Sequence, residues 1–238
     1  MEKLIYLARV RPSVDGTALR TSVLDGLVPE LVDAGAADVS VHLVDDRVTI
    51  AGPMPCPGGE LPLRAAISLW LPAHDLRGGI DELVGGVGER VDGYLVTESV
   101  YSEFGQRRGP ARDWAAGERS PGLVTVATVH RNPLLDPRTF REFWYGYQSP
   151  MSERLQPRLR YVRNTVVHPV TPGAPPLDGI VVESWESEEL VADIEAFHMG
   201  DIENLTVMLD SVGTVFDMSR LRSIAMSEYL STSPGPQT

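Results

Sequence analysis

The amino-acid sequence predicts an α+β fold made of two consecutive ferredoxin-like units, each with the element order βαββαβ. One supporting observation is a repeat, since predicted strands and helices recur in the same order after about half of the 238 residues. A second is that each half matches the split βαβ pattern, whose right-handed crossovers place both helices on one sheet face. Two antiparallel four-stranded sheets can then pack their bare faces together, so we expect an intramolecular pseudo-dimer.

The first unit is predicted over residues 1–104 and is followed by a linker over 105–121. Short apolar or alternating segments predict strands at 4–10, 38–44, 65–71 and 94–101. An apolar face predicts a helix at 19–34, whereas the helix predicted at 75–91 is weakened by several glycines. The linker is distinguished by few apolar residues and several Pro/Gly turns, and we expect it to lie outside both units.

The second unit is predicted over residues 122–230, and residues 231–238 are expected to form a flexible tail. Apolar, β-branched segments predict strands at 123–130, 159–168, 179–185 and 222–230. Asp136 and Pro137 suit the N-cap and the first position of a helix, which Pro150 should kink or interrupt. Ser187 is expected to cap a second helical stretch that runs to about Phe216.

The charge balance argues against nucleic acid or an anionic membrane as a partner. Acidic residues number 33 against 21 basic ones, giving a net charge of -12, so phosphates would be repelled. No apolar segment is long enough to cross a bilayer, and the apolar N-terminal stretch is too short for a signal peptide. We therefore expect a cytoplasmic protein.

Cysteine and histidine usage predicts no bound metal or cofactor. Cys56 is the only cysteine, which excludes an internal disulfide and a cysteine-rich metal site. The five histidines are scattered, and His198 with Asp201 at helical spacing supplies too few ligands for a metal. We expect no haem, flavin, nicotinamide or metal, and we interpret His198 as a structural or solvated residue.

Several segments of the second unit carry a resemblance to a known family. They are 140–144 (FREFW), Pro150, 160–164 (RYVRN) and 178–185 (DGIVVESW); a fainter match in the first unit lies at 91–99 (VDGYLVTES). With these segments the chain resembles the EthD family of the dimeric α/β-barrel proteins, in a tandem arrangement. The resemblance implies a barrel-type fold and an enzyme related to polyketide cyclases, cofactor-free monooxygenases, lactone isomerases and decarboxylases.

One position departs from the family pattern. The pattern places a histidine four residues after the helix tryptophan, and here that position is Gln148. Glutamine can orient a carbonyl or hydroxyl group, but it cannot exchange a proton near neutral pH. This departure favours the hypothesis that the protein binds a metabolite without transforming it.

The aromatic residues of the second unit are the candidates for a ligand pocket. Planar rings and phenol groups at Trp144, Tyr145, Tyr147 and Trp185 suit an aromatic ligand, although the two tryptophans equally suit the core. The first helix of the first unit has no aromatic residue, so we expect the pocket between the corresponding helix and sheet of the second unit. There Tyr147 would donate to a substrate oxygen and Gln148 would orient it, whereas His42 should matter little.

His130 is the candidate proton acceptor. It ends the first strand of the second unit, while Glu183 and Trp185 end its third strand. We expect these strands to be adjacent and parallel, which would place His130 and Glu183 at one sheet edge as a base and its orienting partner. The alternative is that His130 is a solvated strand-end residue.

Two functions remain open from the sequence. One is an enzyme that cyclises, isomerises, decarboxylates or oxygenates an aromatic or polyketide-like metabolite without a tightly held cofactor. The other is a binding or accessory protein for a small apolar metabolite. The chain could act as a monomer, because the sheets pair internally, or as a homodimer through its free strand edges.

Overall fold

The structure, a computed structural model, describes residues 1–230, and its eight strands form one closed antiparallel barrel. The strand order around the barrel is β1-β3-β2-β8-β5-β7-β6-β4. The strands are β1 (Glu2–Arg9), β2 (Ala37–Leu43), β3 (Leu63–Leu71), β4 (Arg90–Ser102), β5 (Leu123–Val129), β6 (Arg160–Pro169), β7 (Gly179–Trp185) and β8 (Arg222–Leu230). The tail predicted for 231–238 lies outside the described residues.

Helices lie between the strands in the order βαββαβ, once in each half of the chain. Helix α1 comprises three successive segments (Gly16–Thr21, Ser22–Leu27 and Val28–Asp33), as does α3 (Pro137–Phe143, Trp144–Gln148 and Ser149–Leu155). The others are α2 (Gly78–Gly85), α4 (Glu188–Ala192) and α5 (Ile202–Val215), with 3-10 turns at His74–Arg77 and Ala196–His198. Asp136 and Ser187 cap their helices through side-chain hydrogen bonds, as predicted.

The expectation of two sheets with open edges is wrong. Strand β2 of the first half pairs with β8 of the second, and β4 pairs with β6, both antiparallel. Closure gives hydrogen-bond partners to edge N–H and C=O groups that two separate sheets would leave exposed. The α+β class holds, in the form of one closed eight-stranded barrel.

Side chains alternate between the barrel interior and the helix-covered exterior. Inward-facing apolar residues come from strands of both halves, for example Leu7, Tyr94, Val126 and Met226. The outward faces are covered separately, by α1 and α2 over the first half and by α3 and α5 over the second. The barrel therefore has one shared interior and two separate outer layers, and each is a place where a cavity can form.

Each long helix contains a π-helical segment just before a proline. Ser22–Leu27 precedes Pro29, and Trp144–Gln148 precedes Pro150. Proline lacks an N–H and its ring clashes with the carbonyl four residues earlier, so the wider turn lets the helix continue. The carbonyl of Trp144 accepts the backbone N–H of Ser149, five residues on, and also accepts from the hydroxyl of Ser149 at 2.8 Å. The predicted interruption at Pro150 is thus a change of helix type.

Two predicted helices are shorter than expected. The helix predicted at 75–91 is confined to Gly78–Gly85, because glycines disfavour its continuation. The stretch predicted to reach Phe216 breaks at Met199 and Gly200, which have φ values of 63° and 75°. In residues 1–230 we find no helix with both the length and the apolar character needed to span a membrane.

The linker packs on the barrel and does not stand apart from it. Ser120 donates from its backbone to the carbonyl of Glu228 at 2.8 Å, and Gly117 donates to that of Leu230 at 2.7 Å. The Arg108 guanidinium donates to the carbonyl oxygens of Glu153 and Gln156, at 3.0 and 2.7 Å. The linker thus contributes no helix or strand to either half, but it is hydrogen-bonded to the barrel and to the end of α3.

Candidate functional site

A large cavity lies between the outer face of the barrel in its second half and the helices that cover it. It has a volume of about 590 Å³, within the range of small-molecule sites. Strands β5, β6 and β7 form its floor, α3 and α5 form two walls, and residues 50–54 of the first half close one side. We call this cavity the outer pocket, and it lies in the region where the sequence predicts a pocket.

Apolar side chains make up most of the outer pocket. The α5 helix contributes one face, and the strands contribute small aliphatic residues beneath it. These residues include Ala127, Val129, Val181, Leu205, Met208, Leu209 and Val212. Such walls favour an apolar or aromatic ligand, and the few polar groups among them determine its orientation.

Arg158 is the cationic residue in the described lining of the outer pocket, which also contains the carboxylate of Glu183. Its Nη1 donates to Oε1 of Glu183 at 2.7 Å, and its Nη2 donates to Oγ of Ser152 at 2.9 Å. The guanidinium also lies over the ring of Tyr161, 4.1 Å from its centroid. Burial acts to lower the pKa of Arg158, but Glu183 and Tyr161 outweigh it, so the net shift is upward. Arg158 is a fixed cation in an apolar wall.

His198 contributes an imidazole ring to the outer pocket. It is buried at the end of the 3-10 turn Ala196–His198, with Nδ1 2.7 Å from the carbonyl oxygen of Ile194. Because a carbonyl can only accept, the neutral ring carries its proton on Nδ1, and Nε2 keeps its lone pair. Within residues 1–230, Nε2 forms no hydrogen bond with the protein. Such a group can take a proton from a ligand.

Gln148 lines the outer pocket, in the π-helical segment of α3. Its Oε1 accepts from the hydroxyl of Ser211 on α5, and its Nε2 lies 3.6 Å from the sulfur of Met208. The sulfur is a weak acceptor, so the amide N–H groups remain available to a ligand oxygen. The structure places Gln148 in the lining of the outer pocket, and its role in orienting a ligand stays a prediction.

Trp144 and Trp185 are core residues in this structure. Both are fully buried, and neither lines the outer pocket. The indole of Trp144 donates to the hydroxyl of Tyr161 at 3.1 Å, and that of Trp185 donates to Thr125 at 2.9 Å. The sequence left open whether the two tryptophans belong to the core or to the pocket, and the geometry favours the core for both.

Tyr145 and Tyr147 also lie outside the outer pocket. The hydroxyl of Tyr145 is bonded to Thr165, and the guanidinium of Arg163 stacks 3.9 Å from its ring centroid. Tyr147 is 52% exposed on the outer side of α3. The sequence suggested that these neighbouring residues of α3 share one site. In the structure Gln148 faces the outer pocket, whereas Tyr147 is exposed on the opposite side of the helix.

The expected pairing of His130 with Glu183 is wrong. Strands β5 and β7 are antiparallel, so Thr125 lies opposite Glu183 and Val129 lies opposite Gly179. His130, one residue beyond β5, therefore lies at the other end of the sheet. Burial, followed by the charge of Arg220, lowers its pKa. Glu183 does reach the outer pocket, where its partner is Arg158.

Sequence reasoning missed His198 and Arg158 as pocket residues. Their shared location depends on where the broken helix between β7 and β8 folds back onto the sheet, which no local pattern gives. His198 stood out only as a weak metal candidate, and the structure shows no group of three or more metal-binding side chains among residues 1–230.

Comparisons with known proteins show the fold. The chain is similar to a crystal structure described as an anthrone oxidase-like protein, with a TM-score of 0.60 at 10% identity over 98% of this chain and 94% of that one. A provisionally described monooxygenase from Fusobacterium nucleatum subsp. nucleatum ATCC 25586 gives 0.50 at 6% identity, over 97% and 92%. No family model matches the sequence, and no curated protein does.

At these identities the similarity supports the fold alone. It extends over nearly the whole length of both chains, so these neighbours share the overall fold described above. A function must be argued from the residues of the site.

Proposed function

We propose that the chain is a small-molecule enzyme that acts in the outer pocket on an aromatic or polyketide-like metabolite, without a tightly bound cofactor. The observation that carries this proposal is the unpartnered Nε2 of His198 in an apolar cavity that also holds the cation of Arg158. A proton acceptor and a fixed positive charge among apolar walls suit abstraction of a proton next to a carbonyl.

The proposed reaction begins with enolisation. Nε2 of His198 takes a proton from a carbon activated by an adjacent carbonyl, and the charge on oxygen is stabilised by Arg158. The ion pair with Glu183 and the contact with Ser152 hold the guanidinium in place, so little reorganisation is needed. Gln148 donates to a second ligand oxygen and fixes the orientation of the rings.

Oxygenation is the reaction that we propose to test first. An anthrone has three fused rings, a ketone and an acidic methylene group, and its enolate can react with dioxygen directly. The balanced reaction converts anthrone and O₂ into anthraquinone and water, so two hydrogen atoms leave the methylene carbon and one oxygen atom becomes its new carbonyl. The structural neighbour described as an anthrone oxidase-like protein motivates the choice of this probe.

The test measures oxygen uptake and anthraquinone absorbance with anthrone, above the uncatalysed rate. We expect turnover by the wild-type protein and a loss of about 100-fold or more in His198→Asn. Asparagine keeps a donor near the carbonyl of Ile194 but removes the acceptor at the position of Nε2, so the fold should persist.

Matched variants test whether the outer pocket, and not another part of the protein, is the site of binding and turnover. Gln148→Ala should weaken anthrone binding. Tyr147→Phe and His42→Gln should change neither binding nor turnover, because both side chains lie outside the outer pocket. Unchanged turnover in His198→Asn would contradict the proposal. Binding without turnover in the wild type would favour the second function, a non-catalytic protein that holds an apolar metabolite.

Further features of the chain belong to the same proposal. We propose membership of the EthD family in tandem form, with ferredoxin-like units at 1–104 and 122–230 joined by a linker at 105–121. The repeated βαββαβ order and the joined four-strand halves support this division. A cytoplasmic location and a monomeric or homodimeric state remain predictions from the sequence. The catalytic roles that the sequence suggested for His130 and Tyr147 are not part of this proposal, because neither residue lines the outer pocket.

A further inference from the structure

The barrel interior contains a second cavity that the proposed function does not use. It has a volume of about 280 Å³ and lies on the opposite face of the sheet from the outer pocket. We call it the lumen site. Its deeper walls are inward-facing apolar side chains of both halves, namely Ile5, Ala66, Val126, Val162, Ile180 and Val182.

Polar side chains from both halves meet in the lumen site. Glu228 on β8 accepts hydrogen bonds from Nε2 of His42 at 3.1 Å and from Nη1 of Arg160 at 2.9 Å. Lys3 on β1 donates to Glu98 and, at 3.0 Å, to Oδ1 of Asn164. Lys3, His42 and Glu228 are all more than nine-tenths buried, so these charges are held away from bulk water.

The hydrogen bond to Glu228 fixes the proton of neutral His42. Burial acts to raise the pKa of Glu228, but the charge of Arg160 and the hydrogen bond from His42 outweigh it and lower the pKa to about 2. A carboxylate only accepts, so Nε2 of His42 carries the proton and Nδ1 keeps its lone pair. No residue within 1–230 is hydrogen-bonded to that Nδ1, and the His42 side chain lines the cavity.

Donors are available beside this acceptor. The ammonium of Lys3 has three N–H groups, and the protein acceptors seen in the described chain engage two of them. Ser40 and Ser68 also line the cavity with their hydroxyl groups. A ligand that both donates to His42 and accepts from Lys3 or a serine would satisfy both sides of the lumen site.

The charge of the lumen site disfavours an anion. Of the charged groups that line the cavity, Lys3 is paired with Glu98 and Arg160 is paired with Glu228, so each cation already has a carboxylate partner. A carboxylate ligand would add a further negative charge in a region of low dielectric, which is costly. A neutral hydroxyl group avoids this cost.

We propose that the lumen site binds a small neutral hydroxylated aromatic compound of the phenol class, whose hydroxyl donates to Nδ1 of His42 and accepts from Lys3 or Ser68. The apolar side chains deeper in the barrel would surround the ring. This site is separate from the outer pocket, and its occupancy does not depend on the proposed enzyme activity.

Nuclear magnetic resonance can follow the two cavities separately. The indole N–H of Trp70 reports on the lumen site, which Trp70 lines. That of Trp185 reports on the outer pocket, because its ring packs 4.6 Å from that of Phe197 in the pocket wall. The Trp70→Phe and Trp185→Phe spectra assign the two signals.

The experiment titrates the wild-type protein with phenol, toluene and benzoate. We expect phenol to shift the Trp70 signal with saturation, and toluene to bind about tenfold more weakly because it leaves Nδ1 unsatisfied. Benzoate should produce no saturable shift. A Trp70 signal that phenol leaves unmoved, or that benzoate shifts as strongly as phenol does, would overturn the proposal.

A variant tests the role of His42. In His42→Gln the amide N–H can still donate to Glu228, while the acceptor at the position of Nδ1 is lost. We expect the affinity for phenol at Trp70 to fall about tenfold, to that of toluene, with the Trp185 response unchanged. An unchanged phenol affinity in this variant would also overturn the proposal. The ligand series needs no variant and decides the question if His42→Gln fails to fold.

Discussion

Arg158 shows how one residue links stability to the outer pocket. Its side chain is almost fully buried and interacts with Glu183 and Glu153, at 2.7 and 3.4 Å. Desolvating a guanidinium costs several kcal/mol, and carboxylate partners together with the ring of Tyr161 offset this cost. The same contacts keep the cation fixed where a ligand oxygen would gain negative charge.

Arg158→Met should therefore destabilise the protein by about 3 kcal/mol, because it leaves two partly buried carboxylates without their cation. Urea unfolding followed by circular dichroism measures the change. Arg138→Met is the matched control, since Arg138 pairs with Glu142 on the exposed surface of α3 and should contribute little. Equal losses in the two variants would show that the burial of Arg158 has no energetic consequence.

Single residues of the site were predictable to different degrees. Gln148 could be identified because a family pattern singles out its position in the sequence. His198 could not, because its significance depends on the carbonyl of Ile194 and on the cavity in front of Nε2. His130 was misplaced because the direction of β7 relative to β5 was assumed incorrectly.

At the scale of elements, the contact between α3 and β7 positions one wall of the outer pocket. Gly179 begins β7 under the indole of Trp144, which is fully buried. A Cβ at Gly179 would lie 2.5 Å from Cη2 of Trp144 and 3.0 Å from Cγ2 of Val129. Glycine is thus required here by the close approach of the helix to the sheet.

Gly179→Ala should destabilise the protein by about 2 kcal/mol, because the rigid indole cannot move away from the added methyl group. Gly146→Ala, in the same helix as Trp144, should be neutral or slightly stabilising, since its added methyl group would meet no atom within 4 Å and alanine favours helices. Thermal unfolding of both variants checks the contrast. A Gly179→Ala protein as stable as the wild type would refute the close contact.

Local signals explain which elements the sequence could predict. The N-caps Asp136 and Ser187, and the β-branched run of β5, depend on neighbouring residues and were predicted correctly. The π-helical turn of α3 was not predicted, because it depends on how Ser149 satisfies the carbonyl of Trp144. The break at Met199 was missed for a similar reason, since its left-handed conformation has no strong local signature.

At the scale of the whole molecule, Glu228 connects the two halves inside the barrel. Its carboxylate accepts from His42 on β2, from Arg160 on β6 and from Ser120 in the linker. Barrel closure depends on the pairing of β2 with β8 and of β4 with β6, which is long-range and cannot be seen in the order of elements. The sequence predicted two four-stranded halves but not the joined edges.

Acid should weaken this connection. The pKa of Glu228 falls from 4.5 to about 2 in the folded protein, so its contribution to stability is complete above pH 4.5 and is lost as the pH falls towards 2. We expect the midpoint of thermal unfolding to fall over this interval. The decrease should be smaller in Glu228→Gln than in the wild type, and parallel pH profiles would argue against the predicted linkage.

The most direct test of the central claim is a crystal structure of the protein soaked with anthrone under anaerobic conditions. We predict density for the three rings in the outer pocket, with the methylene carbon about 3 to 4 Å from Nε2 of His198 and the ketone oxygen directed towards Arg158. The account would be contradicted if anthrone density appeared only at another position and the outer pocket were empty. This holds provided that protein from the dissolved crystals still turns anthrone over.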